Sequence, residues 1–437
     1  MKTKEVKKIA KEREIKGKIK RLIKDYFSLE KNEFIPGKSK IPLNVPSYSW
    51  EEVYEAVESM LTGRVTMGEK VQKFEEMFAK YVGVKYAVMI NSGSSANLLA
   101  LSVLANPVTI NRIREGEEVI TPAITWSTTV FPIINVGAIP VFVDVELKTY
   151  NIDPTEIEKA ITDKTKAIMF VHLLGNPANI KEIMEIAERY NLFVIEDCCE
   201  AHGAEFNGRK VGSFGDVSTF SFFFSHHIST IEGGMLLTNN EKYSELAKSL
   251  RAHGWIRERN DKDKIIAKYP KIDKRFLFVN IGYNVRPTEI QGAFGIHQIE
   301  KLNKFIEVRR KNARYWTEKL EKYSDYIILP DEKDGTKHVW FGYPITVKRE
   351  APFTRDEIVS FLEQKGIETR PIMAGNMLEQ PVMSLFPYRK VGELSNAKYI
   401  MRNSFFFGNH QGIGKVEREY IANCVSEFIE QKLRNHK

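Results

Sequence analysis

The stretch from Tyr86 to Ala105, YAVMINSGSSANLLALSVLA, changes its hydrophobic pattern halfway along its length. Residues 86–91 form a short apolar run typical of a buried strand, and SSANLLALSVLA has the pattern of a helix. The turn between them places Gly93, Ser94 and Ser95 at the positive N-terminus of that helix. Backbone N–H groups and hydroxyls in this position bind phosphate, although a serine N-cap beside a turn glycine gives the same sequence.

Short apolar runs of the same kind recur downstream and alternate with helical patterns such as NPANIKEIMEIAERY. Six further runs are predicted as strands: residues 118–123, 140–145, 167–175, 192–199, 217–223 and 234–239. Alternating strands and helices favour a parallel sheet that is covered by helices on both faces. We therefore predict an α/β domain with a mostly parallel, seven-stranded sheet.

The pattern changes after Pro287, where a long helical segment begins. A strand candidate, HVWFGYPITVK, and a second helix, RDEIVSFLEQKG, follow that segment. This order predicts a smaller α+β domain at the C-terminus. The predicted divisions are a basic helical extension at 1–40, a cofactor-binding large domain at 41–289 and a small domain at 290–437.

The net charge of +8 on 437 residues is concentrated at the N-terminus. Residues 1–24 contain eleven Lys or Arg and three Glu, and isoleucine recurs among them at roughly helical spacing. A basic helix of this kind can contact nucleic acid or a membrane, but packing against the body of the protein or a second subunit is the simpler interpretation. We expect neither a nucleic-acid nor a membrane partner.

No apolar run approaches the roughly 18 residues of a membrane span, and the N-terminus lacks the apolar core of a signal peptide. Three cysteines, two of them adjacent at Cys198 and Cys199, provide no C-x-x-C spacing for a metal. His172 lies in an apolar run and is predicted as a core residue rather than a ligand. We therefore expect a cytoplasmic protein without a bound metal.

Polar residues stand where several predicted strands end, and side chains at that edge of a parallel sheet converge on one pocket. Asp197 ends the run VIED, where an ionised carboxylate needs hydrogen bonds or a cation such as a pyridinium nitrogen; an N-cap aspartate would look the same. Trp126 in AITWSTTV is either a core residue or a stacking surface for a heteroaromatic ring. Together with the glycine-serine turn, these residues favour a cofactor site.

Five motifs resemble those of the DegT/DnrJ/EryC1/StrS sugar aminotransferases, in the same order: SGSSANLLAL, PAITWSTTV, IEDCCEAHGA, GSFGDVSTFSFFFSHH and GYNVRPTEIQGA. The resemblance covers about residues 35–437 and implies the aspartate-aminotransferase fold (fold type I) with pyridoxal 5'-phosphate or pyridoxamine 5'-phosphate as cofactor. It also implies a homodimer with shared active sites. The implied cofactor ligands are Gly93, Ser94 and Ser221 for the phosphate, Trp126 for the ring, Asp197 for its nitrogen, Glu200 for its hydroxyl and, from a second subunit, Asn284 for the phosphate.

The chain departs from that family's aminotransferases at the cofactor-binding lysine, which stands six residues before the acidic residue of EGG. Six residues before Glu232 stands His226, and no lysine occurs between Lys210 and Lys242. Histidine cannot form the lysine's covalent bond to the cofactor, but it is a competent general acid and base. The change marks the sugar 3-dehydratases, which remove the C3 hydroxyl of a nucleotide-linked 4-keto-6-deoxyhexose. His227 is predicted as a hydrogen-bonding support rather than a second base.

Two branches of these dehydratases differ in their supply of electrons. The CDP-sugar branch holds an iron–sulfur cluster on a cysteine-rich loop, whereas the matching segment RAHGWIRERNDKDKIIAKYPKIDKRFLF has no cysteine. The segments RAHGWIR, GYNVRP, GIETRPI and GNHQ resemble the metal-free branch, which acts on GDP-4-keto-6-deoxymannose in colitose synthesis, a part of O-antigen and lipopolysaccharide biosynthesis. The extended N-terminus is similar to the CDP branch, which leaves the nucleotide open.

The resemblance implies L-glutamate as amino donor and His226 as the base in both half-reactions, with 2-oxoglutarate, ammonia and a 4-keto-3,6-dideoxy sugar as products. The implied ligands are His253, Arg257 and, from the second subunit, Arg286 for glutamate, and Gly63, Arg64, Val65, Thr66 and Glu368 for the sugar nucleotide. Arg64 and Arg370 fit surface charges equally well. A nucleotide-sugar aminotransferase, a CDP-type enzyme without its cluster and a catalytically idle relative remain alternatives.

Overall fold

The computed structural model describes residues 2–29 and 33–435. Long helices alternate with short strands through the first half of the chain, and the longest helix leads into the second half. The helices are α1 (Lys2–Phe27), α2 (Trp50–Leu61), α3 (Glu69–Val82), α4 (Gly93–Leu104), α5 (Ser127–Asn135), α6 (Pro154–Ala160), α7 (Ile180–Tyr190), α8 (Glu241–Leu250), α9 (Lys262–Ile266), α10 (Glu289–Leu320), α11 (Arg355–Gln364), α12 (Ser395–Asn403) and α13 (Lys415–Asn435).

The strands form one large sheet and two small ones. They are β1 (Tyr86–Ile90), β2 (Glu118–Pro122), β3 (Ile139–Val143), β4 (Thr165–Val171), β5 (Phe193–Asp197), β6 (Glu205–Phe206), β7 (Arg209–Lys210), β8 (Val217–Ser221), β9 (Gly234–Thr238), β10 (Ile327–Ile328), β11 (Thr336–Lys337), β12 (Gly342–Val347), β13 (Thr369–Pro371), β14 (Arg389–Lys390) and β15 (Ser404–Gly408). The large sheet has the order β1-β9-β8-β5-β4-β2-β3-β14.

The large sheet confirms the predicted α/β fold. Strand β9 is antiparallel to its neighbours β1 and β8, and the remaining pairs of the sheet are parallel. Helices cover both faces, because α4 and α8 pack in one hydrophobic cluster and α6 and α7 in another. All seven strands predicted from the sequence are present, and the carboxyl ends of β1, β2, β5 and β8 lie at one edge.

An eighth strand, β14, joins the edge of this sheet from the C-terminal part of the chain. Its two residues carry no hydrophobic pattern, so the sequence could not indicate it. Arg389 fixes it through two hydrogen bonds of 2.8 Å to the carboxylate of Glu118 on β2. The sheet therefore has one strand more than the seven we predicted.

The C-terminal part forms an antiparallel sheet, β10-β12-β15-β13, that packs against α10, α11 and α13. Trp316 of α10 is fully buried there, and its indole N–H donates to the Arg418 carbonyl over 3.0 Å. The hydrophobic pattern predicted a strand that begins at His338, but strand β12 begins at Gly342. The preceding residues are held instead by hydrogen bonds from Val339 N–H and Phe341 N–H to the carbonyls of residues 175 and 174.

The basic N-terminal segment forms α1, which packs against α2. Lys20 Nζ lies 5.2 Å from the ring centres of both Trp50 and Tyr54, and Lys16 pairs with Glu58 over 3.7 Å. Helix α1 therefore packs against the body of the protein. Within the described residues, none of the helices combines the length and the apolar character that crossing a membrane requires.

Candidate active site

A cavity of about 590 Å³ opens at the carboxyl ends of β1, β2, β5 and β8. The second half of the chain closes it from the other side with Phe341, Arg370 and Phe406. Seven residues proposed from the sequence line this one cavity: Gly93, Ser94, Trp126, Asp197, Glu200, Ser221 and His226. Residues that are far apart in sequence thus meet because their strands are neighbours in the sheet.

The start of α4 approaches the end of β8 very closely. Ser92 is the N-cap of α4, and its hydroxyl accepts the Ser95 N–H over 3.1 Å. A Cβ atom at position 93 would lie 2.3 Å from the Cβ of Ser221, so the glycine leaves room between the two segments. The result is a cradle of backbone N–H groups and hydroxyls at a helix N-terminus, which fits a phosphate group.

We expect Gly93→Ala to weaken binding of pyridoxal phosphate about tenfold or more, because the added methyl group must displace Ser221. Titration of cofactor absorbance against protein concentration measures the affinity. Gly17→Ala in α1 is the control, since an added Cβ there meets no atom within 4 Å. Equal affinity in the two variants would contradict the cradle.

Asp197 ends β5 at the wall of the cavity and is 3 % exposed. Its Oδ2 accepts hydrogen bonds from Asn97 Nδ2 at 2.8 Å and from Thr129 Oγ1 at 2.9 Å, and its Oδ1 accepts the Cys199 N–H at 3.1 Å. All three donors are neutral, so they orient the carboxylate without balancing its charge. A carboxylate held in this way fits the protonated ring nitrogen of pyridoxal phosphate.

Trp126 precedes α5 in the loop that follows β2 and lines the cavity. Its side chain is 53 % exposed, whereas a tryptophan of the core would be almost fully covered. Residue type alone left the core and stacking interpretations open. Its exposure at the cavity wall favours the stacking surface.

Glu200 lies in the loop after β5 and is nearly fully buried. Burial, together with the charge of Asp197, raises the pKa of its carboxyl to about 8. Its Oε2 accepts the Leu174 N–H over 2.6 Å. At neutral pH the carboxyl is therefore mostly protonated and has a proton to donate to a group in the cavity.

His226 stands in the turn that follows β8, where its backbone N–H donates to the Phe223 carbonyl over 3.0 Å. Its ring lines the cavity, and its buried Nδ1 has no hydrogen-bond partner among the described residues. Burial and, secondarily, the charge of Arg309 lower the pKa of the ring to about 3. The imidazole is therefore neutral at pH 7 and able to accept a proton.

His227 points away from this cavity. Its Nε2 donates to the Val339 carbonyl over 2.9 Å, which ties the turn after β8 to the second half of the chain. The two adjacent histidines thus have different surroundings, and the hydrogen bond of His227 is that of a support.

Several residues proposed as substrate or partner-subunit ligands lie outside the main cavity. A second cavity of about 350 Å³ is lined by Thr66, Arg257, Asn284 and Arg286. A backbone bridge between residues 66 and 288 brings the preceding segment, Gly63, Arg64 and Val65, close to this second cavity. A second bridge, between residues 252 and 284, brings His253 close to it. Arg64 itself pairs with Glu69 over 2.6 Å on the surface.

Glu368 adjoins the main cavity without lining it. Its Oε2 accepts the Leu43 N–H over 3.0 Å, and its Oε1 pairs with Arg370 Nη2 over 3.1 Å. Leu43 and Arg370 both line the cavity, so Glu368 positions two of its walls.

Asn97 and Thr129 were not predicted as site residues, although both donate hydrogen bonds to the carboxylate of Asp197. Asn97 interrupts the apolar run ANLLAL of α4 and is completely buried, and a polar residue in such a run was the available signal. Thr129 carries no comparable signal, because threonine is common in buried positions near helix starts.

His172, Glu196 and Cys198 come close enough together to suggest a metal site, but their ligand atoms are used otherwise. Glu196 accepts backbone N–H groups from residues 212, 214 and 215. His172 Nδ1 accepts the Ala178 N–H, so its Nε2 carries the proton that it donates to Glu196 over 3.2 Å. The group is a satisfied core network.

Comparison with known proteins agrees with this geometry. The sequence profile of the DegT/DnrJ/EryC1/StrS aminotransferase family matches residues 47–426. A GDP-4-keto-6-deoxy-D-mannose 3-dehydratase of Escherichia coli O55:H7 is 42% identical over 84% of this chain and 96% of its own length. The lipopolysaccharide biosynthesis protein RfbH of Salmonella typhimurium is 36% identical over 95% of this chain and 98% of its own.

Among solved structures, a GDP-4-keto-6-deoxymannose-3-dehydratase with a trapped PLP-glutamate geminal diamine superposes with a TM-score of 0.84. It is 39% identical, and the match covers 88% of this chain and 99% of that one.

Proposed function

This chain belongs to the DegT/DnrJ/EryC1/StrS aminotransferase family, and from that premise we propose that it is a pyridoxal phosphate-dependent sugar 3-dehydratase. One observation carries the proposal: His226 lines the cavity, and no lysine of the described residues does so. The fold class and the aspartate at the end of β5 are those of the family, but the group that would bind the cofactor covalently is replaced by a base.

The proposed substrate is GDP-4-keto-6-deoxy-D-mannose, with L-glutamate as amino donor. The 42% identity to the Escherichia coli enzyme of that name supports this choice over CDP- and dTDP-linked sugars. The products are 2-oxoglutarate, ammonia and a 4-keto-3,6-dideoxy sugar nucleotide. We propose that the reaction takes place in the cytoplasm and serves the formation of colitose for lipopolysaccharide O-antigen. The similarity to RfbH, a lipopolysaccharide biosynthesis protein, supports a role in lipopolysaccharide biosynthesis.

The cavity offers a place for each part of the cofactor. Gly93, Ser94 and Ser221 line the part that would hold its phosphate, Asp197 would pair with its ring nitrogen, and Trp126 would cover its ring. Glu200 would hydrogen-bond to the ring hydroxyl. When bound, pyridoxal phosphate supplies an electron sink that makes a neighbouring C–H bond acidic and allows the C3 hydroxyl to leave.

His226 moves the protons in this site. Its neutral ring would accept the α-proton of glutamate and give it up to the cofactor in the first half-reaction, and would remove a proton from the cofactor's methylene group in the half-reaction that expels the hydroxyl. Because no lysine amine is present, no side chain of the cavity displaces the aminated sugar before elimination. Phe341 and Phe406 restrict the access of water from the side of the small sheet.

The remaining ligands are proposed to act across a homodimer. Asn284, Arg286, Arg257, His253 and the segment 63–66 gather at the second cavity, away from His226. We propose that this group completes the main cavity of a second copy, with the arginines binding the carboxylates of glutamate. The predicted domain divisions at 40 and 289 remain predictions.

A substrate panel tests the proposal. The purified protein with pyridoxal phosphate and glutamate is given GDP-, CDP- and dTDP-linked 4-keto-6-deoxy sugars, and ammonia release is measured for each. We expect release with the GDP-linked mannose derivative, at a rate at least about tenfold above the others. Consumption of glutamate without ammonia would indicate an aminotransferase instead, and no consumption at all would indicate a catalytically idle relative.

A further inference from the structure

Arg309 is a buried cation in the middle of α10 that lacks a counter-ion. It is 1 % exposed, and its Nη1 donates to the carbonyls of Trp340, Phe341 and Asn409. No carboxylate of the described chain pairs with it, and its Nε and Nη2 have no hydrogen-bond partner. Burial lowers its pKa to about 9, so the guanidinium is still charged at neutral pH. An unpaired buried charge is costly, which suggests a function.

Arg309 faces the histidines behind the main cavity. The carbonyl of Phe341 binds the guanidinium, and the ring of the same residue lies 5.3 Å from the ring of His226. His202 adds a third imidazole, with ring centres 6.0 Å from His226 and 5.6 Å from His227.

The three rings meet in a pocket where, among the described residues, no carboxyl group hydrogen-bonds to any of the imidazoles. Phe220 and Phe222 enclose His202 at 5.3 and 5.6 Å between ring centres. Its ring faces the Ser221 carbonyl, yet neither nitrogen makes a hydrogen bond of ordinary geometry. Burial and the guanidinium of Arg309 both lower the pKa of His227. Only neutral imidazoles are compatible with this arrangement.

The opposite side of His226 faces the cavity, where the anionic substrates of the proposed function would bind. The titratable groups that face it are Arg309 from α10, His202 from the loop after β5, His227 from its own turn, and the cavity residues Asp197, Cys199, Glu200, Glu232 and Arg370. Three of these are carboxyl groups, and the anionic substrates of the proposed function add more. Each anion favours the imidazolium form, in which His226 cannot act as a base.

We propose that Arg309 is a positioning residue that keeps His226 in its neutral, proton-accepting form while anions occupy the cavity. The inference rests on the proposed function for the role of His226, although its test by titration does not. Arg309 touches neither substrate nor cofactor and acts only through the field at the imidazole.

NMR of the full-length protein labelled with ¹³C-histidine tests the proposal, with and without pyridoxal phosphate, and a His226→Asn spectrum assigns the signal. We expect His226 to stay neutral down to about pH 5 in the wild type. Titration near the ordinary value of about 6.5 would overturn the proposal.

Two variants separate the field of Arg309 from burial. Arg309→Gln and Arg309→Met both remove the charge, and they differ in whether the side chain can still donate to the carbonyls of Trp340, Phe341 and Asn409. We expect each to raise the pKa of His226 by about one unit or more. The acidic limb of the activity profile should then move to higher pH by the same amount as the pKa of His226.

Arg310→Gln is the matched control, since Arg310 is next along α10 but pairs with Glu332 and binds the His338 carbonyl. It should leave the His226 titration unchanged. If Arg309→Gln does not fold, Arg309→Met decides, and an unchanged pKa of His226 in the folded variant would overturn the proposal. If the wild type deoxygenates no sugar, the proposed function is wrong. The titration of His226 still tests the effect of Arg309, because it does not depend on activity.

Discussion

Replacing His226 with lysine should abolish deoxygenation and convert the site to one that binds its cofactor covalently. General base catalysis typically contributes about 10² to 10⁴ in rate, so we expect deoxygenation to fall by a factor in that range. The partly buried side chain at this position already faces the cavity, so an amine there would reach the same space. Borohydride treatment should then fix the cofactor to the protein, which it should not do in the wild type.

His226→Asn distinguishes the loss of the base from the gain of an amine. It should lose deoxygenation to the same extent without any covalent attachment of the cofactor. Measured ammonia release and intact protein mass report the two effects separately. Deoxygenation that continued in both variants would mean that another group moves the proton.

Asp197→Asn is expected to have the second largest effect, a loss of about 10² or more in the rate of both half-reactions. The amide no longer carries a negative charge, so the ring nitrogen of the cofactor loses the partner that keeps it protonated. The new amide group also faces the donors of Asn97 and Thr129, which both need an acceptor. Single-turnover spectra with glutamate measure the first half-reaction directly.

Asp216→Asn provides a matched control for this variant. Asp216 is a carboxylate beside the same pair of strands, but it precedes β8 and accepts the Val194 N–H over 2.9 Å at the opposite edge of the sheet. Its replacement should reduce stability slightly and leave the rate of both half-reactions unchanged. Equal losses in the two variants would show that the effect is structural.

The sequence was most informative where function depends on local order along the chain. The seven strands follow from short apolar runs, and the rule that parallel strands end at one edge predicts that Gly93, Asp197 and His226 converge on one pocket, whose lining includes all three. Ser221 and the count from Glu232 back to His226 came from the family resemblance, and the cavity has no lysine among the described residues.

Long-range packing accounts for what the sequence did not reveal. Arg309 lies in a segment whose pattern indicated only a long helix, and its position behind His226 depends on the carbonyls of residues 340, 341 and 409. The exposure of Trp126 is likewise a property of the folded chain. Most of the proposed substrate ligands lie away from the main cavity, because Thr66 pairs with Thr288 rather than with the end of β8 and because Arg257 and Arg286 line the second cavity.

The fate of the glutamate nitrogen tests the central claim most directly. The protein is incubated with pyridoxal phosphate, [¹⁵N]glutamate and GDP-4-keto-6-deoxy-D-mannose, and the sugar nucleotide is analysed by mass spectrometry. Our account predicts a sugar that has lost one oxygen and carries no ¹⁵N, with all of the label in free ammonia. A sugar that retains its C3 oxygen and carries ¹⁵N would contradict the account, because His226 would then serve an aminotransferase.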